Sequence, residues 1–304
     1  MRVMLLCTFA VFLLLIPSAG SEDMRIADSK RMETGGHAIL MEHYTATWCP
    51  SCAEVDPLVS DFMAQHSGRV YRVALHPNDH DPFGTPATQH RIFMKEGVAE
   101  AQLPTIWFDG RNDIEGFVTY GELSSALSSA EIGREHGYEI GMDWSTWENG
   151  IHEKFQRVHI LFDFENRENT TLTLFRTETL NHDSEIASNG IVTHHDVVTA
   201  MFTVELNGNP LLEYPNEDTA EIWHQSYSTY TNSTDFNSVI GFDLYGDADS
   251  FIAVIESEGE VLAALGLTDV VQHSTNEEKS ANSAIVILAS ALVFSTLLLY
   301  RRDS

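Results

Sequence analysis

Cys49 and Cys52, in "TATWCPSC" (45–52), are the residues of this 304-residue chain whose type and spacing point most directly to chemistry. A pair at this spacing can be a structural disulfide, half of a metal site, or a centre of thiol–disulfide exchange. A structural zinc site takes four ligands, usually from two such pairs. The chain has three cysteines in all, so zinc would have to recruit histidines. As a staple the pair does little, because closing so short a loop restrains the unfolded chain by only about 2 kcal/mol. Exchange uses every local feature. A strand candidate ends and a helix begins at the cysteines, which puts Cys49 at a helix N-terminus. Unsatisfied N–H groups and the dipole there favour a thiolate, the nucleophile in exchange. Cys52 lies one turn on, close enough to release a mixed disulfide. Pro50 is tolerated because a first-turn N–H has no partner to lose.

The elements that must position the pair are legible around it. "HAILMEHYTA" (37–46) reads as a strand. Val55, Leu58, Val59, Phe62 and Met63 recur at helical spacing, and Gly68 stops that helix. "RVYRVAL" (69–75) is a second strand, followed by the turn-rich "HPNDHDPFG" (76–84). Thr85-Pro86 opens a helix that runs to Gly97. "LPTIWFDG" (103–110) and "NDIEGFV" (112–118) pair as a hairpin, and a last helix spans 120–136. After Gly137 the period changes. Val158, Ile160, Phe162 and Phe164 alternate with more polar neighbours, as do Val198, Ala200, Phe202, Val204 and Leu206. Similar runs near 170–176, 239–245, 251–256 and 260–267 argue an antiparallel β-sandwich.

Composition bounds the partners. The chain carries 45 Asp+Glu against 17 Lys+Arg, a formal charge of −28, with four lysines. A duplex repels such a surface, which argues against nucleic acid. Residues 1–20 read as a secretory signal: Arg2, the apolar run Met4–Ile16, then small residues at Pro17–Gly20. Cleavage would remove Cys7 and leave Cys49 and Cys52 alone. Residues 21–34 read as a polar leader. Ala284–Leu299 is uncharged and Arg301-Arg302 follows at once, so 283–300 is expected to cross a membrane with the 301–304 tail inside and the body outside. A C-terminal sorting signal is the other reading of that run. An exported pair meets oxidising surroundings, where disulfides persist.

Strand, "WCPSC", helix, then "LPT" (103–105) opening a hairpin and a final helix: this order resembles the thioredoxin superfamily over roughly residues 35–136. The resemblance implies a redox-active disulfide in which Cys49 is the exposed attacking thiol and Cys52 the buried resolving thiol. It implies Pro104 as the cis-proline beside them and Trp48 as their cover. Thioredoxins carry a buried Asp six residues before the first cysteine. Here His43 holds that position, with Glu42 beside it. Strand alternation sends the two to opposite faces, so only one lies beneath Cys52 to relay a proton. With no carboxylate at position 43, the expected potential lies above thioredoxin's, roughly −230 to −150 mV.

The expected architecture is an α/β thioredoxin-like domain (35–136), an all-β sandwich domain (138–270), a linker (271–282) and a C-terminal transmembrane helix. The long "HPNDHDPFGTP" loop and the β-rich second part resemble secreted two-domain relatives. The expected function is a membrane-tethered, extracytoplasmic thiol–disulfide oxidoreductase. It would need no cofactor and would act on thiol- or disulfide-containing exported proteins. The alternative is a cell-surface binding protein that uses the same scaffold with an inert CxxC disulfide.

Other motifs have plainer readings beside them. His76, Asp79, His80 and Asp81 crowd one loop and include metal-ligating types, but this loop is also rich in turn formers. Shaping access to the cysteines is its better functional reading. His194-His195-Asp196 reads as a surface turn, since neighbours on a strand point oppositely. Asn169 and Asn232 begin glycosylation sequons. Trp223, Tyr227 and Tyr230 suit either a binding strip or a sheet edge. The chain shows no Ser-His-Asp arrangement, phosphate loop, nucleotide fingerprint or internal repeat.

Overall fold

The computed structural model describes residues 25–97, 102–134, 138–148, 154–163, 169–182, 188–214, 220–226, 236–246 and 248–268. The expected signal peptide, linker, membrane helix and tail lie outside them, as do Phe164, Tyr227, Tyr230 and Asn232. Among the described residues no helix is long and apolar enough to cross a membrane.

The described residues are mostly β-sheet, with three helices among them. The first part runs β1 (Arg25–Gly35), β2 (Ile39–Tyr44), α1 (Pro50–Gln65), β3 (Val70–Leu75), α2 (Pro86–Glu96), β4 (Thr105–Phe108), β5 (Arg111–Glu115) and α3 (Tyr120–Gly133). Nine strands follow: β6 (Ile140–Glu148), β7 (Lys154–Phe162), β8 (Thr170–Asn181), β9 (Thr193–Glu205), β10 (Pro210–Tyr214), β11 (Ala220–Ser226), β12 (Ser238–Tyr245), β13 (Ser250–Ser257) and β14 (Glu260–Thr268). The helix starts are set by local chemistry. Thr85 with Thr88, and Thr119 with Glu122, form capping boxes, and Gly97 ends α2 in the left-handed region at φ 67°.

Two features differ from the sequence reading. Residues 25–35, expected within or beside a polar leader, form β1, which pairs antiparallel with β6. That stretch lacks an apolar run, and a strand added at a sheet edge needs only its backbone to pair. The second difference is at the boundary near 137. One sheet has the order β1-β6-β7-β12-β11, while the other runs β14-β13-β8-β9-β3-β2-β4-β5, with β10 beside β9. The first part of the chain and the β-rich part therefore share one continuous sheet. They join where β3 meets β9 in parallel at Ala74 and Val197.

Three apolar clusters hold this arrangement. Val158, Ile160, Phe202, Phe242 and Phe251 lie among the side chains between the two sheets. Val55, Val59 and Phe62 of α1 pack with Leu123 and Leu127 of α3 on one face of β2–β4. On the opposite face Ala87 and Ile92 of α2 join Leu40 and Val73 to Phe175, Val198 and Val254, so this cluster spans both parts. An ion network crosses the same seam. Arg91 donates to Glu42 at 2.5 Å and to both oxygens of Glu256 at 2.7 and 2.9 Å, and Lys95 reaches Glu42 at 2.8 Å. Burial alone would raise the Glu42 carboxyl, but Arg91 and Lys95 hold it down at about 2.

Candidate functional site

Cys49 and Cys52 are joined in a disulfide, with Cα atoms 5.3 Å apart. Cys49 is the N-cap of α1: its extended backbone stops the strand-side turn, and its Sγ accepts the Cys52 N–H at 3.1 Å. Pro50 occupies the first turn. Ser51 Oγ sits 3.3 Å from Cys49 Sγ and donates to the Leu103 carbonyl at 3.2 Å, tying the pair to the residue before Pro104. The Leu103–Pro104 peptide is cis. Ala46, Cys49 and Cys52 form a small buried cluster against Leu103.

One expectation about exposure fails. Cys49 is only 3% exposed and Cys52 is fully buried, so neither sulfur lies open. Trp48, in the turn before the pair, is 40% exposed. A loop of the β-rich part closes on that turn. Asn189 donates its N–H to the Thr47 carbonyl at 3.2 Å and its side-chain amide to the Ala46 carbonyl at 3.0 Å.

Glu42 and His43 do point to opposite faces of β2. Glu42 faces α2 and its cations, whereas His43 faces α1, with Nε2 3.4 Å from Asp56 Oδ1. Asp56 lies one helical turn after Cys52 on the buried face of α1. Burial pushes its carboxyl up to about 6 against the hydrogen bond from Thr45 Oγ1, 2.9 and 3.0 Å from its two oxygens. A buried carboxyl thus stands one helical turn beyond Cys52, facing the imidazole at position 43. The 52/56 spacing carried that signal, but an Asp amid apolar helix positions reads as a solvent-facing residue.

The 76–84 loop folds inward behind the same turn. His76 and Asp81 are buried, with Nδ1 and Oδ1 3.1 Å apart, while Asp79 and His80 are exposed. Asp81 Oδ2 accepts the Thr47 N–H at 2.7 Å and its hydroxyl at 3.1 Å. Burial would raise the Asp81 carboxyl, but His76 and the Thr47 and Phe83 N–H groups keep it below the usual carboxylate range. The loop closes tightly enough to require glycine: a Cβ on Gly84 would stand 1.8 Å from the Pro77 carbonyl oxygen.

His194 is not on a surface turn. It lies buried on β9, its ring 5.3 Å from that of His76, and its Nε2 is 3.3 Å from the Ile191 carbonyl oxygen. Burial, then the neighbouring His76, lowers it to about 4. His195 points the other way and is exposed. Burial, then Arg72, His76 and His194, also hold His43 well below the usual imidazole value. Sequence reasoning missed Thr45 and Asp56, whose pairing is local to β2 and α1, and also Asn189 and the buried role of His194, whose placement depends on the β3–β9 junction. A cavity of about 750 Å³ lies elsewhere, between α2 and the strands beside Thr173 and Leu212.

No family model and no curated protein matches the chain. Among solved structures, HBP35 of Porphyromonas gingivalis is similar at a TM-score of 0.53 and 12% identity, over 77% of this chain and 75% of that one. A structural-genomics protein from Agrobacterium tumefaciens is similar at a TM-score of 0.46 and 14% identity, over 76% of this chain and 93% of that one. At such identity the likeness to HBP35 is one of fold alone.

Proposed function

We propose that the protein is a thiol–disulfide oxidoreductase of thioredoxin type, built on an α/β part and a β-sandwich that share a sheet. The observation that carries this reading is the Cys49 sulfur at the start of α1, accepting the Cys52 N–H at 3.1 Å. After reduction that N–H and the helix terminus favour a Cys49 thiolate. In one direction, a partner thiolate attacks Cys49 Sγ. The Cys49–Cys52 bond breaks, and its electron pair leaves on Cys52. The partner's second thiolate then attacks the partner sulfur of the mixed disulfide and releases Cys49. The partner's two thiols become a disulfide, the protein's disulfide becomes two thiols, and two protons pass with the two electrons. Asp56 is the group that exchanges a proton with Cys52. The reverse sequence reduces a partner.

The termini add an exported, membrane-tethered setting, in which the partners are exported proteins carrying thiols or disulfides. Protease added to intact cells should then remove most of the chain, and full protection of a surface-accessible sample would refute that topology.

The burial of both sulfurs favours a second reading, a surface binding protein whose CxxC bridge is inert. Equilibration of the full-length chain with a glutathione series separates the two. A potential between about −270 and −180 mV, the range of exchange proteins, supports the oxidoreductase. A value below about −300 mV marks an inert bridge.

A further inference from the structure

The cavity behind Asp56 measures about 20 Å³. One water needs roughly 10–15 Å³ and two to four polar partners. Asp56 and His43 form the buried inner wall, and Thr193 and His195 the exposed outer wall. Two buried imidazole nitrogens, His43 Nε2 and His76 Nε2, make no hydrogen bond with any described group. Buried polar atoms are almost always paired, and small polar cavities pair them through water. No three His, Cys, Asp or Glu among the described residues are placed to hold a metal ion.

The charged and titratable groups around the cavity come from β2, α1, β3, the loop after β3, and β9. Arg72 of β3 pairs with Asp196 of β9 at 2.8 Å. Asp81, from the loop after β3, is held by Thr47 and faces His76. His194 of β9 stacks edge-on to His76. Asp56 of α1 is the carboxyl left facing His43.

We propose that this cavity holds one internal water joining His43 to His76, and that the two imidazoles and this water carry protons between Asp56 and solvent at Thr193 and His195. The inference rests on the exchange reading, in which Asp56 gives or takes the Cys52 proton. Each exchange leaves that buried carboxyl one proton short or in excess, and it must be reset from solvent. His43 Nε2, 3.4 Å from Asp56 Oδ1, accepts the carboxyl proton to give an imidazolium, which then gives a proton to the water and returns to neutral. The outer end of the route belongs to β9, so the route exists only where the β-rich part is docked.

The test compares the full-length chain with its His43→Asn and His76→Asn variants. Oxidation of the reduced protein by a dithiol disulfide is followed from pH 5 to 8. Each variant should slow exchange by about tenfold or more, and free imidazole in the buffer should restore part of the rate. A packing defect gives no such rescue. Wild-type rates in folded variants, or slowing that imidazole does not relieve, overturn the relay. Because a variant can fail to fold, the wild-type protein is also examined by NMR for a bound water that cross-relaxes with the His76 ring protons. Finding that water supports the proposal, and its absence overturns it. A wild-type disulfide that no dithiol reduces overturns the exchange reading itself, and the relay falls with it even where the water is found.

Discussion

Asn189 stands 143 residues from Ala46 in the chain, yet donates its side-chain amide to the Ala46 carbonyl at 3.0 Å. Its backbone N–H reaches the Thr47 carbonyl, and its Oδ1 accepts the Ile191 N–H at 3.0 Å. The turn that presents the cysteines is thus held from the β-rich part. Asn189→Ala removes both side-chain bonds and should cost about 1–2 kcal/mol in denaturant unfolding. Reduction by dithiothreitol should also become several-fold faster, on the order of the same energy. An unchanged reduction rate would show that the loop merely rests against the turn.

The two sulfurs are not equivalent. Cys49 caps the helix and keeps a trace of exposure, whereas Cys52 has none. Cys52→Ser should therefore accumulate mixed disulfides through Cys49, seen on non-reducing gels and lost with reductant. Trapping by Cys49→Ser instead would reverse the roles, and trapping by neither would favour the inert bridge.

Arg91 is shared by Glu42 and Glu256, one from each part of the chain. Arg91→Met takes from buried Glu256 its ion-pair partner and leaves Glu42 to Lys95 alone. Breaking a buried pair this way costs about 3–5 kcal/mol, so the melting temperature should fall sharply. Adding Glu256→Gln to that variant, with the Lys95–Glu42 pair left intact, should recover much of the loss. A lone Arg91→Met change within about 1 kcal/mol of wild type would show that water reaches the network.

Much of the first part was legible in sequence, and the reason is local. Helix starts at Pro50, Pro86 and Tyr120 announce themselves through caps and turn formers within a few residues. The CxxC position at a strand–helix junction is equally local. The shared sheet was not legible, because a parallel junction at Ala74 and Val197 leaves no mark on either strand's alternation. His194 shows the consequence. Beside His195 and Asp196 it reads as a turn, and only the β3–β9 junction buries it against His76. β1 escaped for another reason: pairing there needs backbone rather than an apolar run.

Stability should vary with pH through groups whose folded and unfolded pKa values differ. Asp56 and Asp109 are each raised by burial to about 6 from 3.8, against their Thr45 and Arg134 partners. The folded state binds these protons more tightly, so their contribution is full below about pH 4 and is lost as pH rises to about 6. His194 is lowered to about 4 from 6.5, so its charging opposes folding in acid, and stability rises through that same window. Each shift is worth about 3.5 kcal/mol at most. Asp56→Asn should remove one falling component, so unfolding free energy should climb more steeply between pH 4 and 6 than in wild type. A parallel curve would mean that Asp56 titrates normally.

The last expectation concerns the Cys52 thiol. Asp56 lies one turn further along the same buried face of α1, and the side chains of a helix lean back toward its N-terminus, so its carboxyl leans toward Cys52. Above about pH 6 that carboxyl is ionised, and a second negative charge on the neighbouring sulfur meets both repulsion and burial. In the Cys49→Ser background, where Cys52 is the lone thiol of the pair, its pKa should lie well above the usual 8.5. Asp56→Asn removes the repulsion but leaves the burial. The thiol pKa should then fall by about one unit or more, equivalent to about 1.4 kcal/mol. Titration of thiolate absorbance in the ultraviolet reads this directly, and alkylation rates against pH provide a second measure. His43→Asn, which leaves the carboxylate in place, should not produce that fall. If Asp56→Asn leaves the Cys52 pKa where it was, the two groups do not communicate, and the carboxyl serves only to receive Thr45.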